Sequence, residues 1–276
     1  LSISEKQVAA TIALLDEKAT IPFIARYRKE KTGSLDEVQI GAIQTEYTRL
    51  QDLTDRKQTI LSTIEEQGKL TPELQQRIDA CWNATELEDI YLPYKPHRKT
   101  RADIAIERGL EPLAKQLMAQ KNGDVQGWAK HYIKKEVPSA AEALQGARDI
   151  IAQWISEDER ARNAVRREFG YTALLTTKVV KAKADSPEAQ NYKDYFAVSE
   201  PLKRISSHRL LAIRRAEKEG FIRMDISPDY EKCLDKLAHL FLHSRNDAAY
   251  QVELAMEDSY KRLLKPSIET EYAALS

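Results

Sequence analysis

Three groups of lysine and arginine residues are the part of this sequence best suited to chemistry, because each concentrates positive charge in a short segment. One group occupies 160–183, where seven cations accompany Glu168 as the only acid. A second occupies 95–101, with Tyr91 and Tyr94 close by, and a third occupies 203–218. Clustered cations bind phosphates through counterion release, and nearby aromatic rings can stack on bases. The alternative is that these cations pair with neighbouring acids or interact with helix C-termini.

Nine of these cations are the candidate nucleic-acid contacts of the chain. They share a position inside one of the three groups, and they are Lys95, Arg98, Lys99, Arg101, Arg166, Arg167, Arg209, Arg214 and Arg215. We predict that they contact phosphate groups of a nucleic acid.

Other motifs point away from catalysis. His239 and His243 are four residues apart, a spacing that zinc sites use, but no Glu follows the first histidine and no third ligand is evident. Glycines are too widely spaced for a phosphate-binding loop, and no Ser or Cys lies in a nucleophile motif. We therefore predict a protein that is not an enzyme, with no metal and no cofactor.

The stretch ATIPFIARYRKEKTG at 19–33 interleaves aromatic and basic residues, which is also a pattern of nucleic-acid binding. Its helical spacing favours another interpretation, a short helix beginning at Pro22 and packed at a corner of the scaffold. In that helix Ile21, Phe23, Ile24 and Tyr27 form the buried side, and the cations take the other sides, with Arg26 in an internal salt bridge.

Composition limits the class of protein. The chain has 276 residues, 42% hydrophobic and 31% charged, and its formal net charge of zero excludes a uniformly basic nucleic-acid binder. Only 9 glycines among many helix-forming residues favour helices over sheets. Cys81 and Cys233 are far apart, which is typical of a reducing cytosol, and no apolar run approaches the ~20 residues that span a membrane. We expect a cytoplasmic location.

Helix starts recur along the chain as Ser or Thr followed three residues later by Glu or Gln, the spacing of a capping box. The pairs are Ser4 with Gln7, Ser34 with Glu37, Thr85 with Glu88, Ser139 with Glu142, and Ser156 with Glu159. Apolar periodicity further predicts a long helix after Gly33 that ends near Gly68, a helix start at Thr71, and a last helix that Pro266 ends. The segments 176–183 and 221–226 are predicted to pair as a small two-stranded β-ribbon. The fold class is therefore all-α, an elongated multi-helix scaffold with that ribbon.

Several stretches together resemble one family, the bacterial Tex proteins, which are RNA-binding transcription accessory factors. The stretches are 19–39 (ATIPFIARYRKEKTGSLDEVQ), 64–74 (IEEQGKLTPEL), 87–105 (LEDIYLPYKPHRKTRADIA), 109–114 (GLEPLA), 144–150 (LQGARDI), 195–220 (YFAVSEPLKRISSHRLLAIRRAEKEG) and 266–271 (PSIETE). They occur in order over nearly the whole chain.

The resemblance implies an N-terminal helical domain formed by 1–50 and 125–276, with a helix-turn-helix-like subdomain inserted at 51–124. It also implies that the chain is a piece of a longer protein, in which RNase H-like, helix-hairpin-helix and OB-fold domains follow. In the family, RNA binding is attributed mainly to the OB-fold. The resemblance therefore implies RNA, with DNA as a second candidate, as a partner bound chiefly through those later domains.

Our hypothesis from the sequence is a non-catalytic scaffold of a Tex-like accessory protein, which positions those later domains and adds weak phosphate contacts. The alternative is a protein-interaction module that docks on RNA polymerase or the ribosome without touching nucleic acid. Oligomeric state is open in both cases.

Overall fold

The computed structural model describes residues 2–274, which form fifteen α-helices and three short β-strands. The chain divides into two compact units, Leu1–Lys95 and Pro96–Ser276. The mostly helical fold class is confirmed. The domain limits derived from the resemblance, with an inserted subdomain at 51–124, stay a prediction.

The first unit is organised around one long helix. Its helices are α1 (Glu5–Asp16), α2 (Ile21–Tyr27), α3 (Lys29–Thr32), α4 (Glu37–Glu66), α5 (Pro72–Ala80) and α6 (Ala84–Tyr91). The first half of α4 packs Ile40 and Ile43 with Leu14 and Ile24 in a small core. Its second half contributes Leu53, Ile60 and Ile64 to a separate core with α5 and α6. The predicted long helix is confirmed, and Gly68 follows its end in the left-handed conformation, φ +68°.

The interpretation of 19–33 as a fully packed corner is wrong for its two aromatic residues. Ile24 is completely buried, but Phe23 is 39% and Tyr27 is 62% exposed. The seven-residue α2 presents only one narrow face to the small core, and the two rings, four residues apart, contact each other instead, with centroids 5.4 Å apart. Arg26 forms no ion pair within residues 2–274, so the predicted internal salt bridge is also wrong.

The second unit contains the remaining helices and the sheet. The helices are α7 (Arg101–Glu107), α8 (Glu111–Met118), α9 (Val125–Lys130), α10 (Ala140–Glu157), α11 (Glu159–Thr172), α12 (Ser207–Lys218), α13 (Tyr230–Phe241), α14 (Asp247–Ser259) and α15 (Lys265–Ala274). The amphipathic α10 lies at the centre, with Ala147, Ile150, Ile151 and Ile155 fully buried in the core that α7, α8 and α14 share.

The small sheet confirms the predicted ribbon and adds a strand. β1 (Leu174–Val179) pairs antiparallel with β3 (Ile222–Ser227), and β2 (Ser199–Pro201) pairs with the other edge of β1. β2 has three residues and includes a proline, so it is too short to show an alternating pattern in the sequence. On the free edge of β3, the carboxylates of Glu217 and Glu269 accept the backbone N–H groups of Met224 and Ile226 at 3.2 and 3.3 Å.

Two of the five predicted capping pairs place the N-cap correctly, at Ser4 and Ser139, and Thr71 caps α5 as predicted. The other three are wrong by two residues, since an Asp or Asn nearby takes the position. The caps observed in place of Ser34, Thr85 and Ser156 are Asp36, Asn83 and Asp158. Ser34 cannot cap because its backbone is left-handed, φ +65°.

Pro266 does not end the last helical segment as predicted. A π-helical turn over Tyr260–Leu264 joins α14 to α15, and Pro266 is the second residue of α15. In a regular α-helix the proline ring clashes with the carbonyl four residues earlier, and the wider turn before Pro266 relieves that clash. The helix therefore continues, and its last turns lie against α11.

Candidate nucleic-acid interface

The cluster at 95–101 lies where the first unit ends and the second begins, and its side chains are exposed. Lys99 pairs with Glu107 at 2.7 Å, and the neighbouring His97 contacts Asp103 at 3.0 Å. Lys95 is exposed at the end of the first unit. Arg98 and Arg101 are exposed and form no ion pair within residues 2–274. They remain available to an anionic ligand.

The cluster on α11 divides between the protein interior and the surface. Arg166 donates two hydrogen bonds to Glu271 of α15, at 2.8 and 3.0 Å, and Arg162 donates one to the same carboxylate at 3.0 Å. Arg166 is therefore a structural residue that holds α15 on α11. Arg167, the next residue, is exposed and has no ion pair in the described chain.

The cluster on α12 is divided in the same way. Arg209 pairs with Glu200 at 2.7 Å and lies over the ring of Tyr195, and Arg214 donates to the carbonyl oxygen of Ala273 in α15. Arg215 is exposed and unpaired among residues 2–274. Of the nine predicted contacts, Lys99, Arg166, Arg209 and Arg214 thus have partners within the chain.

One surface pocket brings a predicted contact together with cations from another helix. This pocket measures about 520 Å³ and lies between α11 and α13. Its polar lining residues are Arg160, Asn163, Arg167, Asp235, Lys236 and His239. We call it the α11–α13 pocket.

Two carboxylates, those of Asp158 and Glu168, partly neutralise the cations of the α11–α13 pocket. Arg160 pairs with Asp158 at 2.9 Å, and that hydrogen bond raises the pKa of Arg160, which keeps the guanidinium charged. Lys236 pairs at 2.6 Å with Glu168, which is only 6% exposed. Arg167 has no such partner in the described residues. A bound phosphate would therefore meet Arg167 as the unpaired cation of the lining, near the carboxylate of Asp235, with Arg160, Lys236 and His239 as further donors.

Sequence reasoning identified Arg167 but missed Lys236 and His239 as its neighbours. The spacing of these two residues, three apart on α13, was a usable signal that they share a helix face. No local feature of the sequence indicates that Lys236 and His239 lie next to α11. His239 is on α13, which ends at Phe241, and His243 lies beyond the end of that helix. Residues 2–274 contain no group of three or more His, Cys, Asp or Glu side chains arranged to hold a metal ion.

Cys233 is a buried thiol on α13, and its surroundings predict low reactivity. Burial raises its pKa to about 11, so the thiol is protonated at neutral pH.

In a Cys81→Ser variant, we expect alkylation of Cys233 by iodoacetamide at pH 8 to be at least about tenfold slower than in urea-unfolded protein. Mass spectrometry over a time course measures both rates. Equal rates would contradict the buried, protonated state.

Among the helices of the described residues, none combines the length and apolar character needed to cross a bilayer.

Comparison with known proteins extends these observations. Residues 1–65 match the family description "Tex-like protein N-terminal domain", and residues 120–273 match "Tex central region-like". A Bacillus subtilis protein, YdcI, is 38% identical over 275 residues, covering 98% of this chain and 38% of the relative. The "Transcriptional accessory protein Tex" of Neisseria gonorrhoeae is 43% identical over 224 residues, which are 81% of this chain and 29% of that protein.

A more distant relative is the human "S1 RNA-binding domain-containing protein 1", 27% identical over 282 residues that cover 96% of this chain and 28% of the human protein. The chain thus spans well under half the length of each of these relatives. On the two matched regions and the identity to its bacterial relatives, the chain belongs to the Tex family, of which it contains the N-terminal and central regions.

Proposed function

We propose that this chain is a non-catalytic helical scaffold of an RNA-binding transcription accessory protein, and that it contacts the phosphate backbone directly but weakly. The relatives support the first part, because one is named as a transcriptional accessory protein and another as an S1 RNA-binding domain protein. The observation that carries the second part is the α11–α13 pocket, where Arg167 has no carboxylate partner within residues 2–274.

Weak contact is expected because several of the nine predicted cations already have a partner within the chain. Net charge is zero, and intramolecular carboxylates neutralise Arg166 and Arg209. Of the nine predicted contacts, Arg98, Arg101, Arg167 and Arg215 form no ion pair within residues 2–274, and all four lie on the surface of the second unit. Each phosphate contact to a single strand contributes about 0.7 to the slope of log K against log salt. A handful of such contacts gives binding that is measurable at low salt and lost near physiological salt.

The test replaces Arg167 by Glu and measures binding of a fluorescent single-stranded RNA by anisotropy, from about 50 to about 200 mM salt. We expect roughly five- to tenfold weaker binding at low salt and a salt slope smaller by about 0.7, uniformly across RNA sequences. Arg167 is the suitable position because it is exposed and unpaired, whereas replacing Lys236 would leave Glu168 buried without its cation.

Lys130→Glu is the matched control, since Lys130 is exposed on α9 and the charge change is identical. It is expected to change affinity by less than about twofold. Absence of binding at low salt, or binding that ignores salt, contradicts direct phosphate contact. Equal losses for the two variants would assign the effect to net charge alone and not to the pocket.

A further inference from the structure

The exposed face of α2 carries two aromatic rings that the fold leaves uncovered. Tyr27 is 62% and Phe23 is 39% exposed, and their centroids are 5.4 Å apart in a tilted arrangement. Burying aromatic rings is strongly favourable. Leaving two adjacent rings partly exposed to water on a seven-residue helix is therefore unfavourable. A ligand that covers them would recover that free energy.

A guanidinium group extends this aromatic surface. The Cζ atom of Arg28 lies 4.9 Å from the centroid of the Phe23 ring, and its Nη1 donates to the carbonyl oxygen of Tyr27 at 2.8 Å. The two contacts hold the guanidinium group over the ring of Phe23. Nucleic-acid bases stack both on aromatic rings and on arginine planes, so three adjacent planar groups here match that ligand.

The surrounding charge is positive and unneutralised. Between 21 and 31 the chain has Arg26, Arg28, Lys29 and Lys31 against the single acid Glu30. None of the four cations forms an ion pair in the part of the chain that the structure describes. A net charge of about +3 beside flat apolar rings is complementary to a strand that carries bases and phosphates.

We propose that Phe23, Tyr27 and Arg28 form a stacking surface for the bases of single-stranded nucleic acid, with Arg26, Lys29 and Lys31 contacting its phosphates. This inference rests on the proposed function, since it adds a second contact surface, in the first unit, for the same kind of ligand. It differs in chemistry from the α11–α13 pocket, because binding here depends on the bases as well as on the charge.

The experiment separates stacking from charge with matched strands of about 12 residues. Fluorescent oligo(rU) and oligo(dT) carry bases, and an all-abasic tetrahydrofuran strand carries only phosphates. The full chain and a Phe23→Ala/Tyr27→Ala variant are titrated against all three at low salt. Stacking contributes substantially for each base, so we expect the variant to bind both base-containing strands about tenfold or more weakly and the abasic strand unchanged.

Two further variants serve as controls. Val38→Ala removes a side chain that is 80% exposed in the same unit and is expected to leave all affinities unchanged. Tyr27→Phe keeps the ring and is expected to retain nearly full affinity. If the Tyr27 hydroxyl contributed to binding, this variant would bind more weakly than the parent. The circular dichroism melt of each variant should match that of the parent, because the replaced side chains are largely outside the core.

Several outcomes overturn the proposal. It is wrong if the double variant binds oligo(rU) and oligo(dT) as tightly as the parent, or if it loses the abasic strand equally. If Arg167→Glu still weakens binding in either case, the proposed function stands without the stacking surface. If the parent chain binds none of the three strands, both proposals fall. A double variant that binds RNA normally but no longer self-associates in sedimentation would assign the surface to a second copy of the chain.

Discussion

Replacing Gly146 by Val is expected to destabilise the second unit by about 3 kcal/mol or more, because α7 and α8 leave no space for a side chain there. Gly146 lies in the buried face of α10. A Cβ atom at this position would be 2.3 Å from Cδ1 of Leu110 and 3.4 Å from Cβ of Ala105. Leu110 is itself only 1% exposed, so it cannot move aside into solvent. Overpacking of this kind typically costs 1–3 kcal/mol for small additions, and the two methyl groups of valine add to it.

The measurement is urea unfolding followed by circular dichroism, with Gly146→Ala as an intermediate case. Gly41→Ala is the matched control, since Gly41 is also within a helix but an added Cβ would meet only Cδ1 of Ile21, at 4.0 Å. That control is expected to be neutral or to stabilise by about 0.5–1 kcal/mol through helix propensity. A Gly146→Val variant as stable as the parent would show that α10 and α8 are not packed as described.

Replacing Glu271 by Gln is expected to destabilise the chain by about 3 kcal/mol at pH 7. The Glu271 carboxylate accepts hydrogen bonds from Arg162 and Arg166 and thereby holds α15 on α11. Arg162 is only 5% exposed, and it also donates to the carbonyl oxygen of Ser156 and the hydroxyl of Ser267. Removing the carboxylate charge breaks this largely buried ion pair, and breaking such a pair typically costs 3–5 kcal/mol.

The same pair predicts a pH dependence. Burial alone would raise the pKa of Glu271, but hydrogen bonds from Arg166 and the charges of both arginines outweigh it and lower that pKa. The stabilisation is therefore complete above the unfolded-state pKa, about 4.3, and is lost as the pH falls through the lower folded-state pKa. The stability difference between parent and Glu271→Gln should shrink from pH 7 to about pH 3.

Urea unfolding at both pH values measures this difference. Glu253→Gln is the control, because Glu253 is exposed on α14, and it is expected to change stability by less than about 0.5 kcal/mol at pH 7. A Glu271→Gln difference that stays constant down to pH 3 would contradict the ionised pair.

Much of the local structure could be predicted from sequence alone. The helical class, the 30-residue α4, the N-caps at Ser4, Thr71 and Ser139, and the pairing of β1 with β3 are all observed. These features depend on residues within a few positions of each other, or on strand patterns that are locally clear. The misplaced caps show that residues close in sequence compete for the N-cap position. Asp36, Asn83 and Asp158 each lie only two residues from the predicted cap.

The candidate interface depended on the tertiary structure, since a cation is free or neutralised according to partners that are distant in the chain. Arg166 and Arg167 are adjacent in sequence, yet only Arg166 meets Glu271, 105 residues away. Arg214 likewise meets Ala273, and Arg167 gains Lys236 and His239 as neighbours only when α13 packs on α11.

Helical spacing placed Phe23 and Tyr27 on an apolar face, but whether other helices cover that face is decided by the size of the core around Ile24. By itself, the sequence determined the helical class, several of the helix starts and the family, because these follow from short-range hydrogen bonds and patterns. Which charges and rings remain at the surface was decided only by the fold, because burial and ion pairing act through space between distant segments.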